Sequence, residues 1–282
     1  GRRGYIDAAA YEGPHPVYHH GFLKASDDGR YLCRRDGEPF LWLGEACRAA
    51  LLDVADDAWP RYVEFLIAQG MNVAQTALHL RLGPHRSGSS PVVSDVGRHG
   101  APNLAYLRGV DAKLARATER GLAVALVLLA PGPTPSTHPR LDRPDRRARR
   151  GPPMTEERAA RLARYAVARY GAYDVVWLVS LDDDYVKTIG EAVQAADPYR
   201  HPLGVHPGGG TTTTGEDPGR EGWPDLRVFR ADPIGDLHYR LALQEALRRP
   251  RRPAIAEGPA TGPAPPASPT RAPCGARRGG RF

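Results

Sequence analysis

Apolar positions along the chain fall into short runs separated by amphipathic stretches, and the runs are apolar on both sides rather than alternating. The clearest is 175–181, mostly β-branched or large, which leads directly into Asp182, Asp183 and Asp184. A run of this kind reads as a strand buried on both faces, as in a parallel sheet. Further runs are expected at 39–45, 72–79, 122–129, 202–207, 225–230 and 253–257. Between them lie helical spacings. One begins near Asp56 or Asp57, with Pro60 in its first turn, and stops at Gly70. Others span 102–120, 155–171, 185–196 and 237–248. Thr155 suits an N-cap, and Glu156 and Glu157 in the first turn favour the helix dipole.

This is a β–α alternation with seven strands. With right-handed crossovers it closes most readily as a TIM-type (β/α)8 barrel. The eighth strand is missing from the pattern. After Glu257 the chain is rich in Pro, Ala and Arg, and proline cannot donate to a ladder. Ahead of the barrel, Asp28-Gly29 and Asp36-Gly37 are turn signals between short runs and predict a small antiparallel flap. Three regions are therefore expected: an irregular segment with the β flap at 1–38, the barrel at 39–259, and a disordered tail at 260–282 with the look of a truncation or frame shift.

Composition narrows the classes. The 282 residues are 41% hydrophobic, and the formal net charge is +7. The positive charge is blocked, with six arginines in 140–150, four in 248–252 and four in the last dozen residues. Such blocks can serve nucleic acid. Here they lack interleaved aromatics and fall in Pro-rich loops, which favours a solvated surface and makes a nucleic-acid-associated protein the weaker alternative. Salt-steep duplex binding would be its mark. The three cysteines, Cys33, Cys47 and Cys274, form no CxxC pair, so no zinc site or disulfide framework is expected. No apolar run reaches ~18 residues, so no membrane span is expected. The chain starts at Gly1 with no signal peptide, which leaves cytoplasmic and secreted locations both open, and oligomeric state is not readable.

The chemistry is carried by strand ends. Glu45, Asp182 and Glu257 close the first, fourth and seventh strands. In a (β/α)8 barrel those ends form the functional face. Two carboxyl groups facing each other there suit glycoside hydrolysis: one protonates the leaving oxygen, and the other attacks or activates water. A separation of about 5–5.5 Å implies retention, and about 6.5–9.5 Å inversion. The bland readings compete. Two of the three aspartates serve as helix caps, and Glu257 could be a surface residue before a turn. Trp42 and Trp177 could stack on a sugar, although tryptophans inside apolar strands more often belong to the core. His79 and His206, at the ends of the second and fifth strands, could orient a sugar hydroxyl or a carboxylate. Asp182–Asp184 as a Mg²⁺ site is the best competing use of the acidic cluster. No cofactor is expected: there is no GxSxG elbow and no phosphate loop, and Gly208-Gly209-Gly210 lacks the lysine that would follow.

Several stretches resemble one known family. His20-Gly21-Phe22-Leu23-Lys24, Asp28-Gly29-Arg30-Tyr31 and Asp36-Gly37-Glu38-Pro39-Phe40-Leu41-Trp42-Leu43-Gly44 resemble the opening of the apiosidase-like (β/α)8 glycoside hydrolases, known from bacterial polysaccharide-degrading systems. Gln69-Gly70-Met71-Asn72-Val73, 121–127, Val176-Trp177-Leu178 and His206-Pro207-Gly208-Gly209 continue the likeness across roughly 17–259. The resemblance implies an acid/base Asp after the fourth strand, where Asp182 stands without the family's two preceding glycines. It implies a nucleophilic Glu on the seventh, where Glu257 is followed by an extra Gly258 before Pro259. Where the family reads Gly-Asp-Thr on the first strand, this chain has Gly44-Glu45-Ala46. The expectation is a glycoside hydrolase acting on a plant or bacterial polysaccharide or oligosaccharide, with Glu45, His79, His206, Trp42 and Trp177 holding the sugar. The alternative is an inactive, truncated barrel that still binds saccharide.

Overall fold

A computed structural model describes residues 11–13, 15–47, 49–78, 104–128, 155–180, 185–207, 223–230, 243 and 247–258. Its main sheet has seven parallel strands in the order β10-β9-β8-β7-β6-β5-β4. These are β4 (Gly44–Ala46), β5 (Val73–Leu78), β6 (Ala123–Leu128), β7 (Val175–Ser180), β8 (Leu203–His206), β9 (Leu226–Arg230) and β10 (Ala254–Glu257). Chain order and spatial order coincide, as in a barrel built from successive right-handed βαβ units. Among the described residues the sheet curls into a nearly closed barrel and ends at β4 on one side and β10 on the other.

Two apolar layers explain why the strands do not alternate. Val73, Ala77, Ala123, Ala125, Val127, Val176, Leu178, Leu226 and Val228 form the inner cluster. Their neighbours Ala74, Leu78, Val124, Leu126, Leu128, Val175, Trp177, Val179, Leu203 and Val205 pack outward against the helices. Both faces of β5, β6, β7 and β8 are buried, and most of their residues are apolar on both. Among the described residues the outer layer is supplied by α2 (Ala50–Asp53), α3 (Trp59–Ala68), α4 (Leu104–Glu119), α5 (Glu156–Tyr170) and α6 (Val186–Ala196). Thr155 does cap α5, its side chain accepting from the Arg158 N–H. The cap expected at Asp56 or Asp57 is not used. Ala58 precedes α3 without a side-chain cap, and Asp56 lies 3.2 Å from the buried Lys113 ammonium instead.

The expected strand at 39–45 is divided. Pro39–Phe40 (β3) joins an antiparallel sheet with β1 (Leu23–Ala25) and β2 (Leu32–Arg34), and the barrel strand begins only at Gly44. Asn72 holds the crossing between them: its side-chain amide donates to Leu41 O at 2.8 Å, and its Oδ1 accepts from Leu43 N at 2.9 Å. The short helix α1 (Pro16–His20) precedes the flap.

The flap plugs the N-terminal end of the barrel. Leu23 and Leu32 are buried in the inner cluster, with Phe40 packed beside them. Arg34 reaches from β2 to Asp174, the residue before β7, at 2.8 Å, and both side chains are almost wholly buried. At the opposite end the strands finish on Ser180 of β7, His206 of β8 and Glu257 of β10.

Candidate active site

Strand parity decides which side chains enter the barrel. On β8, Leu203 and Val205 face the helices, so Gly204 and His206 face inward. On β10, Ile255 packs on the inner cluster, and Glu257 shares its parity. The two polar residues meet across β9: His206 Nε2 lies 2.8 Å from Glu257 Oε2, off the line of a straight hydrogen bond. The imidazole is fully buried, and the Glu257 side chain is 12% exposed. Both stand at the C-terminal ends of their strands. Ser180, the last residue of β7, is level with His206 in the parallel register and is itself buried.

A carboxylate in this position is mostly buried, contacts a buried imidazole, and retains a small opening to solvent. Burial of its surroundings lowers the local dielectric, so charge on the carboxylate interacts strongly with charge developing on a ligand.

The other candidates fall elsewhere. Trp177 is on the helix side of β7, fully buried, with its Nε1 donating to Asp197 Oδ2 at 2.9 Å. Expected to stack on sugar, it is a core residue, because position 177 has outward parity. Trp42 precedes β4, at the flap end, and packs on the base of the inner cluster. Glu45 is level with Ala74, which belongs to the helix-side layer. It is half-buried, and burial pushes its carboxyl above the ordinary glutamate value. His79 and Asp182 lie outside the described residues. The structure thus brings together His206 and Glu257, and puts Trp177 in the helix-side layer and Trp42 against the inner cluster.

Sequence reading passed over two inner-facing polar residues. Ser180 ends an apolar run immediately ahead of the aspartates. Gln75 shares the inward parity of Val73 and Ala77 on β5, and its buried amide nitrogen has no hydrogen-bond partner among the described residues. A polar residue within or at the end of an otherwise apolar strand was the available signal for both. No cluster of three or more potential metal ligands occurs among the described residues. No helix among them is long and apolar enough to cross a membrane.

A parallel barrel with paired inner polar groups at its C-terminal end is the architecture of many glycoside-cleaving enzymes, and sequence comparison makes the assignment specific. The family model for the apiosidase-like catalytic domain matches residues 26–260, so the chain belongs to the apiosidase-like family. No curated protein sequence matches it. Among solved structures, it is similar to a family 5 glycoside hydrolase from Bacteroides vulgatus, at 20% identity and a TM-score of 0.62, covering 86% of this chain and 54% of that one. It is also similar to a family 5 mannosidase from Rhizomucor miehei (13% identity, TM-score 0.56, 84% of this chain and 72% of that one). A third is the catalytic domain of the Thermobifida fusca endoglucanase Cel5A (14% identity, TM-score 0.55, 86% and 75%). The chain spans about half the length of the Bacteroides protein. At these identities the likeness is one of fold: a glycoside hydrolase-type barrel.

Proposed function

We propose that this protein hydrolyses a glycosidic bond of a plant or bacterial polysaccharide or oligosaccharide by a retaining, two-carboxylate mechanism. Glu257 is the nucleophile and Asp182 the acid/base. The observation that carries this reading is Glu257 at the C-terminal end of the seventh barrel strand, sheltered and 2.8 Å from the buried His206. In the first step a Glu257 oxygen bonds to the anomeric carbon as the glycosidic C–O bond breaks, and Asp182 gives its proton to the leaving oxygen. In the second, Asp182 takes a proton from water, the water oxygen attacks the anomeric carbon, and the ester to Glu257 is released. His206 steers the Glu257 carboxylate, and fixing a reacting group to within about 1 Å is worth up to ~100-fold in rate.

Hydrolysis of a panel of aryl glycosides tests this. The expected result is turnover that falls by about 10²–10⁴-fold in Asp182→Asn and to background in Glu257→Gln, with both variants folded.

The exposure of β10 favours a second reading. Among the described residues the sheet ends at β4 and β10, and β10 is partly exposed along its length while β5, β6 and β7 are wholly buried. A barrel whose seventh strand is this exposed could bind saccharide without turning it over. Saccharide binding by a protein inert toward every aryl glycoside would favour that reading over hydrolysis.

A further inference from the structure

Gln75 stands on β5 with the inward parity of Val73 and Ala77, inside the barrel wall. It is 4% exposed, and its Nε2 has no hydrogen-bond partner among the described residues. Its backbone is fixed: Gln75 O accepts from Cys47 N at 2.9 Å, and the residue is level with Ala46 on β4 and Ala125 on β6. The side chains around that level are small. Ala46 and Ala125 flank it, and Ala77 is the inward position between Gln75 and the C-terminal end of β5. Barrel interiors are ordinarily filled by interlocking branched side chains. That filling is present on β7 and β9, at Val176, Leu178, Leu226 and Val228, and gives way to methyl groups around Gln75.

An amide donor taken from water into hydrocarbon and left unbonded destabilises the fold, and folded proteins leave few such groups. Methionine or leucine would fill the same space without that cost, so a stability role does not account for Gln75. Nor is the amide alone on this face. His206 Nδ1, on the inner side of β8, is fully buried and also without a partner among the described residues. The type of side chain narrows what would satisfy it. A carboxamide carries no charge, donates through nitrogen and accepts through oxygen. It pairs with a group that is itself donor and acceptor, as a sugar hydroxyl is, and offers little to a free anion or cation.

We propose that Gln75 is a specificity-determining residue whose carboxamide hydrogen-bonds one hydroxyl of a neutral sugar unit lodged in the barrel mouth. This rests on the reading that a saccharide occupies that mouth, and it holds whether or not the glycosidic bond is then broken. A site built to bond a hydroxyl penalises a ligand lacking it, because the buried amide is then left unpaired again.

Selectivity between a sugar and its deoxy analogues, measured on the full chain, tests the proposal. The probes are the p-nitrophenyl glycoside that the wild type cleaves fastest and the monodeoxy analogues of that glycoside. Removing one particular hydroxyl should cost the wild type about tenfold or more in kcat/KM relative to Gln75→Met, while at the other positions the two proteins respond alike. Gln75→Met should be at least as stable in urea denaturation, since it removes the unbonded amide. Thr76→Val is the control. Thr76 is equally buried, with its Oγ1 also unpartnered among the described residues, and lies on the helix side of the same strand. It should keep the wild-type preference. If the wild type cleaves no aryl glycoside, the hydrolase reading fails, and the comparison passes to titration calorimetry with cellobiose, mannobiose and xylobiose. At least one should bind, about tenfold or more weakly to Gln75→Met, with Thr76→Val unchanged. The inference is overturned by any of four results: no analogue that separates wild type from Gln75→Met, a shift shared by Thr76→Val, a Gln75→Met protein less stable than wild type, or a protein that neither cleaves a glycoside nor binds any of the three disaccharides.

Discussion

His206 Nε2 and Glu257 Oε2 approach to 2.8 Å across an intervening strand, at the mouth of a barrel whose other inner residues are almost all hydrocarbon. The imidazole is fully buried and the ring cannot swing away without opening a void, so it acts as a fixed stop for the carboxylate. His206→Gln should keep the fold and lower kcat on an accepted aryl glycoside by about 10–100-fold with a smaller change in KM, because a nucleophile misplaced by about 1 Å loses rate rather than ground-state binding. An unchanged kcat would mean that Glu257 is aimed by other groups.

Trp177 provides a contrast. Its ring is in the outer layer and its Nε1 is one of three donors to Asp197 Oδ2. Burial alone pushes the Asp197 carboxyl up, and the bonds from His201 and Trp177 more than offset it, leaving it below the ordinary aspartate value. Trp177→Phe should therefore cost about 1–3 kcal/mol in urea denaturation, from one lost hydrogen bond and a small void, and leave saccharide binding intact. Because the Asp197 carboxyl is depressed, its stabilising effect is present above the unfolded value and lost as pH falls through the folded one. The variant's deficit should accordingly be larger at pH 7 than near pH 2.

Arg34 and Asp174 join the flap to the barrel floor. Burial raises the Asp174 carboxyl above its ordinary value, with Arg34 opposing. A raised carboxyl favours the native state below its unfolded pKa, and that advantage fades as pH rises through the folded one. Removing the partner leaves a buried charge, so Arg34→Ala should destabilise by about 3–5 kcal/mol at pH 7. The loss should shrink by pH 4, where Asp174 without Arg34 takes up a proton. A deficit that does not vary with pH would show that packing of Arg34 over Phe40, 5.2 Å away, is the larger contribution.

Lys113 closes the turn after β4. Its ammonium donates to Leu51 O at 3.2 Å and Val54 O at 2.6 Å, carbonyls at the end of α2, and burial lowers its pKa against the pull of Asp56. Lys113→Met preserves the bulk and orphans both carbonyls. It should cost about 1–3 kcal/mol, and hydrogen exchange should rise first in Ala50–Asp53.

What the sequence by itself determined is the succession of elements. Runs such as 123–128 and 175–179 are apolar throughout, which specifies strands buried on both sides, and the helical spacings between them specify the parallel crossovers. The flap turns at Asp28-Gly29 and Asp36-Gly37 were legible because Gly29 and Gly37 must adopt left-handed φ. The tertiary structure alone decided which side of each strand faces the cavity. With both faces apolar, the period-two signal vanishes, and Trp177 and His206 look equally eligible. Barrel curvature then puts one against the helices and the other against Glu257. Likewise the division of 39–45 between two sheets depends on Asn72 gripping Leu41 and Leu43 from the next strand, a contact between residues about thirty positions apart that no local pattern records.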